Sequence, residues 1–152
     1  MKYNYNRHIK LLKQKEPLKI ENKSFYKENR KDDIELSIYN KFVEENIFWQ
    51  QRYKVDELIQ EFFDRKINPE GLCDRVFGLR NSLIFETETF LNKLITGEVN
   101  TFEPNLNSKK LSGVLDTLFC ECDYFIKDYE NDQFSDIMEN AFLKFQKALN
   151  ED

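Results

Sequence analysis

Helix breakers are scarce along these 152 positions: four glycines and three prolines. Between them Lys, Glu, Leu and Phe are frequent, with Phe alone at 14 residues, and these are residues that a long helix tolerates well. Apolar residues recur at helical spacing, and no strand-like alternation of useful length occurs. The pattern restricts the chain to an all-α class, and hydrophobic residues at 40% are enough for a globular core.

Local signals divide the pattern into segments. From Asp32 to about Arg65, Leu36, Tyr39, Val43 and Ile47 form one stripe and Val55, Leu58, Ile59, Phe62 and Phe63 a second. Asp32 or Asp33 is the expected cap. The segment is one long helix or two with a break near residues 50–53. Asn68–Pro69–Glu70 is a strong start signal, with Asn68 as N-cap, Pro69 in the first helical position and Glu70 at the positive end of the dipole. The helix it opens is expected to run to Thr96 and stop at Gly97. Its stripe is Leu72, Val76, Leu79, Leu83, Phe90 and Leu94, widened by Phe77, Ile84, Leu91 and Ile95. A further helix is expected from Asn107 or Ser108 to about Lys127. After an acidic turn over 128–134, Ser135 is expected to cap the last. These elements predict an antiparallel four-helix bundle with an additional N-terminal helix.

Charge divides the chain differently. Residues 1–31 hold ten Lys/Arg against three Asp/Glu, a net of +7, and the other 121 residues hold 13 against 25, a net of −12. The reading is a basic extended N-terminal arm over 1–31 and an acidic helical bundle over 32–152. Lys10, Lys13 and Lys15 are the arm's candidate contacts, for an acidic protein surface, a large complex or RNA; nucleic acid is a partner only through this arm, because the acidic body repels phosphates. Tyr3, Tyr5, Ile9, Leu11, Leu12, Leu18, Ile20, Phe25 and Tyr26 are more apolar anchors than a solvated tail needs.

No stretch approaches the roughly 20 apolar residues of a membrane span. The N-terminus lacks the apolar core of a secretory signal, so it is expected to belong to the mature, soluble protein. Three cysteines, Cys73, Cys120 and Cys122, without framework spacing point to free thiols in a reducing compartment, the cytoplasm or an organelle stroma. The one histidine, His8, lies in the arm, away from every other metal-ligand type, and no glycine-rich phosphate loop occurs. The inventory points away from an enzyme, a metal site or a cofactor.

Carboxylates cluster instead. Asp116, Glu121, Asp123, Asp128, Glu130, Asp132 and Asp136 fall within one stretch whose only base is Lys127. Asp116 and Asp123, seven apart, share one helix face. Such a cluster repels itself unless a cation is near, which makes it a candidate docking surface for a basic protein. Glu86 and Glu88 read as an ordinary solvated face. Trp49, Tyr53 and Tyr124 are candidate interface anchors if exposed.

The run Leu58–Ile59–Gln60–Glu61–Phe62–Phe63, then Lys66–Ile67–Asn68–Pro69–Glu70, then Leu115 to Phe125 with Asp116, Phe119, Asp123 and Tyr124, and last Ser135–Asp136–Ile137, resembles the colicin D-type bacterial immunity proteins over residues 53–150. The resemblance implies a four-helix bundle that inhibits a tRNA-cleaving toxin by offering acidic side chains to its basic cleft in place of RNA phosphates. The matching acids are Asp123, with Asp116, Glu121 and Asp128. The basic arm departs from that pattern. It keeps open a second expectation, an accessory subunit docked on a large organellar or cyanobacterial-type assembly, photosynthetic or ribosomal.

Overall fold

A computed structural model describes the backbone of residues 1–105, 107–128 and 131–150, with side chains except at 110, 125–128, 131, 132, 135 and 150. The described residues form helices without strands: α1 (Tyr5–Ile20), α2 (Phe25–Glu28), α3 (Arg30–Gln50), α4 (Arg52–Phe63), α5 (Pro69–Thr96), α6 (Ser108–Asp128) and α7 (Asn131–Asn150). None is long and apolar enough to cross a membrane. The chain packs as two compact units, Met1–Glu44 with Glu86–Pro104, and Glu45–Phe85 with Asn105–Asp152. The charge boundary at residue 31 falls inside the first unit.

In the first unit, residues 5–20 are a helix and not an extended arm. Tyr5, His8, Leu11 and Leu12 keep helical spacing, and His8, Leu11 and Leu12 are buried. Asn4 caps the helix by accepting from Arg7 N–H at 3.0 Å. At the other end Asn22 takes a left-handed φ of 54°. There Lys23 N–H donates to Leu18 C=O and Asn22 N–H to Lys19 C=O, a Schellman closure. Burying one face secures the helix despite its charge, because Arg7 reaches Asp32 and Glu35, both at 2.7 Å. The Tyr3 ring meets His8, Tyr39, Phe42 and Phe102 edge-on, with centroids 5.1–5.7 Å apart. Tyr5 Oη donates to Val99 C=O at 2.9 Å.

Helix α3 starts two residues earlier than expected: Asn29, not Asp32 or Asp33, is the cap, its Oδ1 accepting from Asp32 N–H at 3.3 Å. The segment 32–66 is two helices. They break at Gln51, whose N–H is shared between Ile47 and Phe48 carbonyls at 3.2 Å each. No proline or glycine causes the break. Arg52 supports it by donating to Trp49 C=O at 2.8 Å, its guanidinium lying 4.4 Å from the Trp49 ring centroid and 4.2 Å from that of Tyr53.

The second unit buries the expected stripes. Val55, Leu58, Ile59 and Phe62 of α4 are buried, as are Leu72, Val76 and Leu83 of α5 and Leu111, Leu115, Leu118 and Cys122 of α6. Both α4 and α6 pack on α7. The turn after α4 puts Arg65 at φ 59°, with Lys66 N–H to Glu61 C=O at 2.9 Å and Arg65 N–H to Phe62 C=O at 3.0 Å. Asn68 caps α5 as expected, accepting from Gly71 N–H at 2.8 Å, and Gly97 beyond its end has φ 80°.

Two expectations fail here. Helix α7 begins at Asn131, so Ser135 lies inside the helix and not at the expected cap position. The reason is Phe134, wholly buried, whose ring meets Phe62 at 5.9 Å and draws the preceding residues into the helix. The second row on α5 is also not uniformly core: Ile84 is 46% exposed, and Phe85 beside it 71%.

Candidate partner-docking site

The candidate docking face belongs to the second unit, which carries eleven Lys/Arg against seventeen Asp/Glu, a net of −6. The first unit carries twelve against eleven, a net of +1. Helix α6 is strongly two-sided. Leu111, Ser112, Leu115, Leu118, Phe119 and Cys122 are buried, which turns Lys109, Gly113, Asp116, Cys120 and Asp123 outward. Asp116 and Asp123 are therefore exposed, on the side of the helix away from the packing. Tyr124 follows on the edge of this face, 54% exposed. Thr117 adds no competing polar group, since its hydroxyl donates to Gly113 C=O at 3.0 Å.

Glu121 lies to one side, half-buried, and its Oε2 is shut off from water with no hydrogen bond among the described residues. A carboxylate oxygen in that state costs about 1–3 kcal/mol relative to a satisfied one. Asp128, Glu130 and Asp132 lie outside the residues whose side chains are described. The structure thus brings Asp116 and Asp123 onto one open face, with Glu121 on its flank.

The basic candidates belong to the first unit. Lys10 and Lys13 are exposed on the outward side of α1, whereas Lys15 is half-buried. Of the candidate anchors, Tyr53 is 60% exposed and Tyr124 is open, but Trp49 is half-covered beneath Arg52.

Two polar pairings escaped the sequence reading. His8 is not in a distant tail; it is fully buried. Its Nδ1 accepts from Tyr3 Oη at 2.9 Å and its Nε2–H donates to Asn40 Oδ1 at 2.8 Å. Burial pushes the imidazole below its ordinary 6.5, opposed by the bond to Asn40. Burial likewise raises the Tyr3 hydroxyl. The available signal was the spacing Tyr5–His8–Leu12, which places the imidazole on the apolar stripe. Nearby, the hydrogen bond from Arg7 holds the Glu35 carboxyl below the usual range.

The second pairing joins Cys73 of α5 to Cys122 of α6, both fully buried. The Cys122 thiol is pushed up by its hydrogen bond to Cys73 and then by burial. No spacing rule brings together residues 73 and 122, and only the packing of α5 against α6 shows it. Cys120, two residues away, faces out. Among the described residues no cluster of His, Cys, Asp or Glu has the makings of a metal site.

Compared with protein-family models, curated proteins and solved structures, the chain has no match.

Proposed function

We propose that this chain is a non-enzymatic protein-binding module that docks a basic protein on the acidic outer face of α6, with α4 to α7 as an antiparallel four-helix bundle behind it. One observation carries the reading. Asp116 and Asp123 are exposed on the same face of a helix whose opposite face is buried from Leu111 to Cys122, and exposed Tyr124 borders them. Apolar packing fixes the positions of the charges before a partner arrives, so little ordering is lost on binding. An acidic unit at −6 attracts a basic surface from a distance, while the tyrosine supplies contact area. A cation reaching the flank is attracted by Glu121 as well. This is the manner in which the colicin D-type immunity proteins, which residues 53–150 resemble, cover a ribonuclease cleft, and a basic nuclease is the partner class the reading names.

The test is comparative capture from native extract with the tagged full chain and with the double variant Asp116→Lys/Asp123→Lys, at low and moderate salt. The reading expects a basic protein that the wild type retains at low salt, releases as salt rises, and that the variant fails to retain by at least about tenfold. Equal retention by both chains would refute it.

A further inference from the structure

A pocket of about 270 Å³ opens in the first unit where α1, α2 and the start of α3 meet, lined by Lys15, Lys19, Lys23, Phe25, Tyr26 and Asp33 among others. His8, Leu11 and Leu12 are the buried stripe of α1. Lys15 follows Leu11 by four residues and is half-buried, continuing the inward stripe at the point where the core ends, while Lys19, four residues further, is exposed and lines the pocket from its rim. Lys10 and Lys13, by contrast, point outward. Sequence and fold therefore set Lys15 where an apolar residue would otherwise extend the core, with Lys19 beside it at the mouth of the pocket. Phe25, 6% exposed, lies behind them.

The remaining lining groups narrow the chemistry. Lys23 comes from the turn after α1, and its ammonium is shared with Glu21 at 2.7 Å. Lys15 and Lys19 have no ion pair among the described residues. Tyr26 is 46% exposed, and the Arg30 guanidinium lies 5.5 Å from its ring centroid, a fourth cation beside the lining. Asp33 is the one carboxylate of the lining. Two ammonium groups without an ion pair among the described residues, and a third shared with Glu21, against the lining's one carboxylate call for an anion with several acceptor oxygens, and lysine serves phosphate as a point charge. An open aromatic ring offers a face for stacking, and Asp33 accepts from hydroxyl or amino groups. The volume lies just under the ~300 Å³ at which small-molecule sites begin, which suits a few phosphate groups with the ring of the ligand at the mouth.

We infer that this pocket binds a nucleoside phosphate, its phosphates held by Lys15, Lys19 and Lys23 and its base laid on Tyr26. Because the charges sit at a pocket and not along a groove, the ligand is the free nucleotide and not a strand.

The test is calorimetric titration of the full chain at low salt with ATP, adenosine, tripolyphosphate and a short single-stranded oligonucleotide. ATP is expected to bind saturably and adenosine at least about tenfold more weakly, since the phosphates carry the charge contacts. Lys19→Glu and Tyr26→Ala are each expected to weaken ATP by about fivefold or more, with circular dichroism unchanged. Lys93→Glu, an equal charge change at an exposed residue of the same unit, is expected to leave it within about twofold. Absence of ATP binding at millimolar concentration, equal weakening by Lys93→Glu, tripolyphosphate binding as tightly as ATP, or an oligonucleotide binding where ATP does not would each overturn the assignment.

Discussion

Arg65 and His8 occupy positions that their side chains do not favour. Arg65 closes α4 in a left-handed conformation, φ 59°, with a Schellman pair of hydrogen bonds that glycine satisfies without a Cβ penalty. Arg65→Gly is therefore expected to raise unfolding stability by about 0.5–1 kcal/mol, the relief in the fold exceeding the added freedom of the unfolded chain. Urea melts of the two proteins check it. His8 is neutral in the fold, between Tyr3 and Asn40 and against the Tyr39 ring. Its folded pKa lies below 6.5, so on acidification the unfolded chain takes up this proton first. The stability that His8 contributes is whole above 6.5 and is lost as pH falls through the folded value. The Glu35 carboxyl acts in the same sense, but only below its ordinary 4.5. Urea midpoints at pH 7.5 and 5.5 are expected to differ for the wild type and to converge in His8→Gln. Equal differences in both proteins would contradict the neutral, buried imidazole.

Element boundaries were legible wherever a local signal stood alone. Asn68–Pro69 and Gly97 bound α5 at the residues expected, because capping and left-handed φ are local chemistry. Ser135 misled because a good cap residue says nothing of the apolar residue before it. Burial of Phe134 outweighed the cap, by about 3–5 kcal/mol for a buried phenyl against ~1 for a cap. Phe134→Ala is accordingly expected to cost about 3–5 kcal/mol, whereas Leu143→Ala on the exposed side of the same helix is expected to stay within about 0.5. Thermal melts of both variants measure the contrast. The basic segment misled for a related reason. Ten cations in 31 residues suggest a free arm, but one stripe of Tyr5, His8, Leu11 and Leu12 with the Arg7 pairs folds it into α1. The face of α6 was readable from Asp116 and Asp123 through helical periodicity. The pairings of Cys73 with Cys122 and of His8 with Asn40 were not, because they depend on which helices become neighbours.

On the scale of the whole molecule, charge follows packing more closely than chain position. The first unit is near neutral at +1 because the basic segment folds with acidic α3 and with Glu86–Pro104, while the second unit keeps a net of −6. The proposed functions divide along the same line, a basic protein on α6 and a nucleotide at the end of α1. The most direct measurement replaces Tyr124 with a photo-cross-linking phenylalanine analogue, and in a second chain Tyr26, and irradiates each in native extract. A covalent adduct with a basic protein from position 124, suppressed by moderate salt and lacking from position 26, is the predicted result. No adduct at 124, or the same adducts from both positions, would contradict docking on the acidic face of α6.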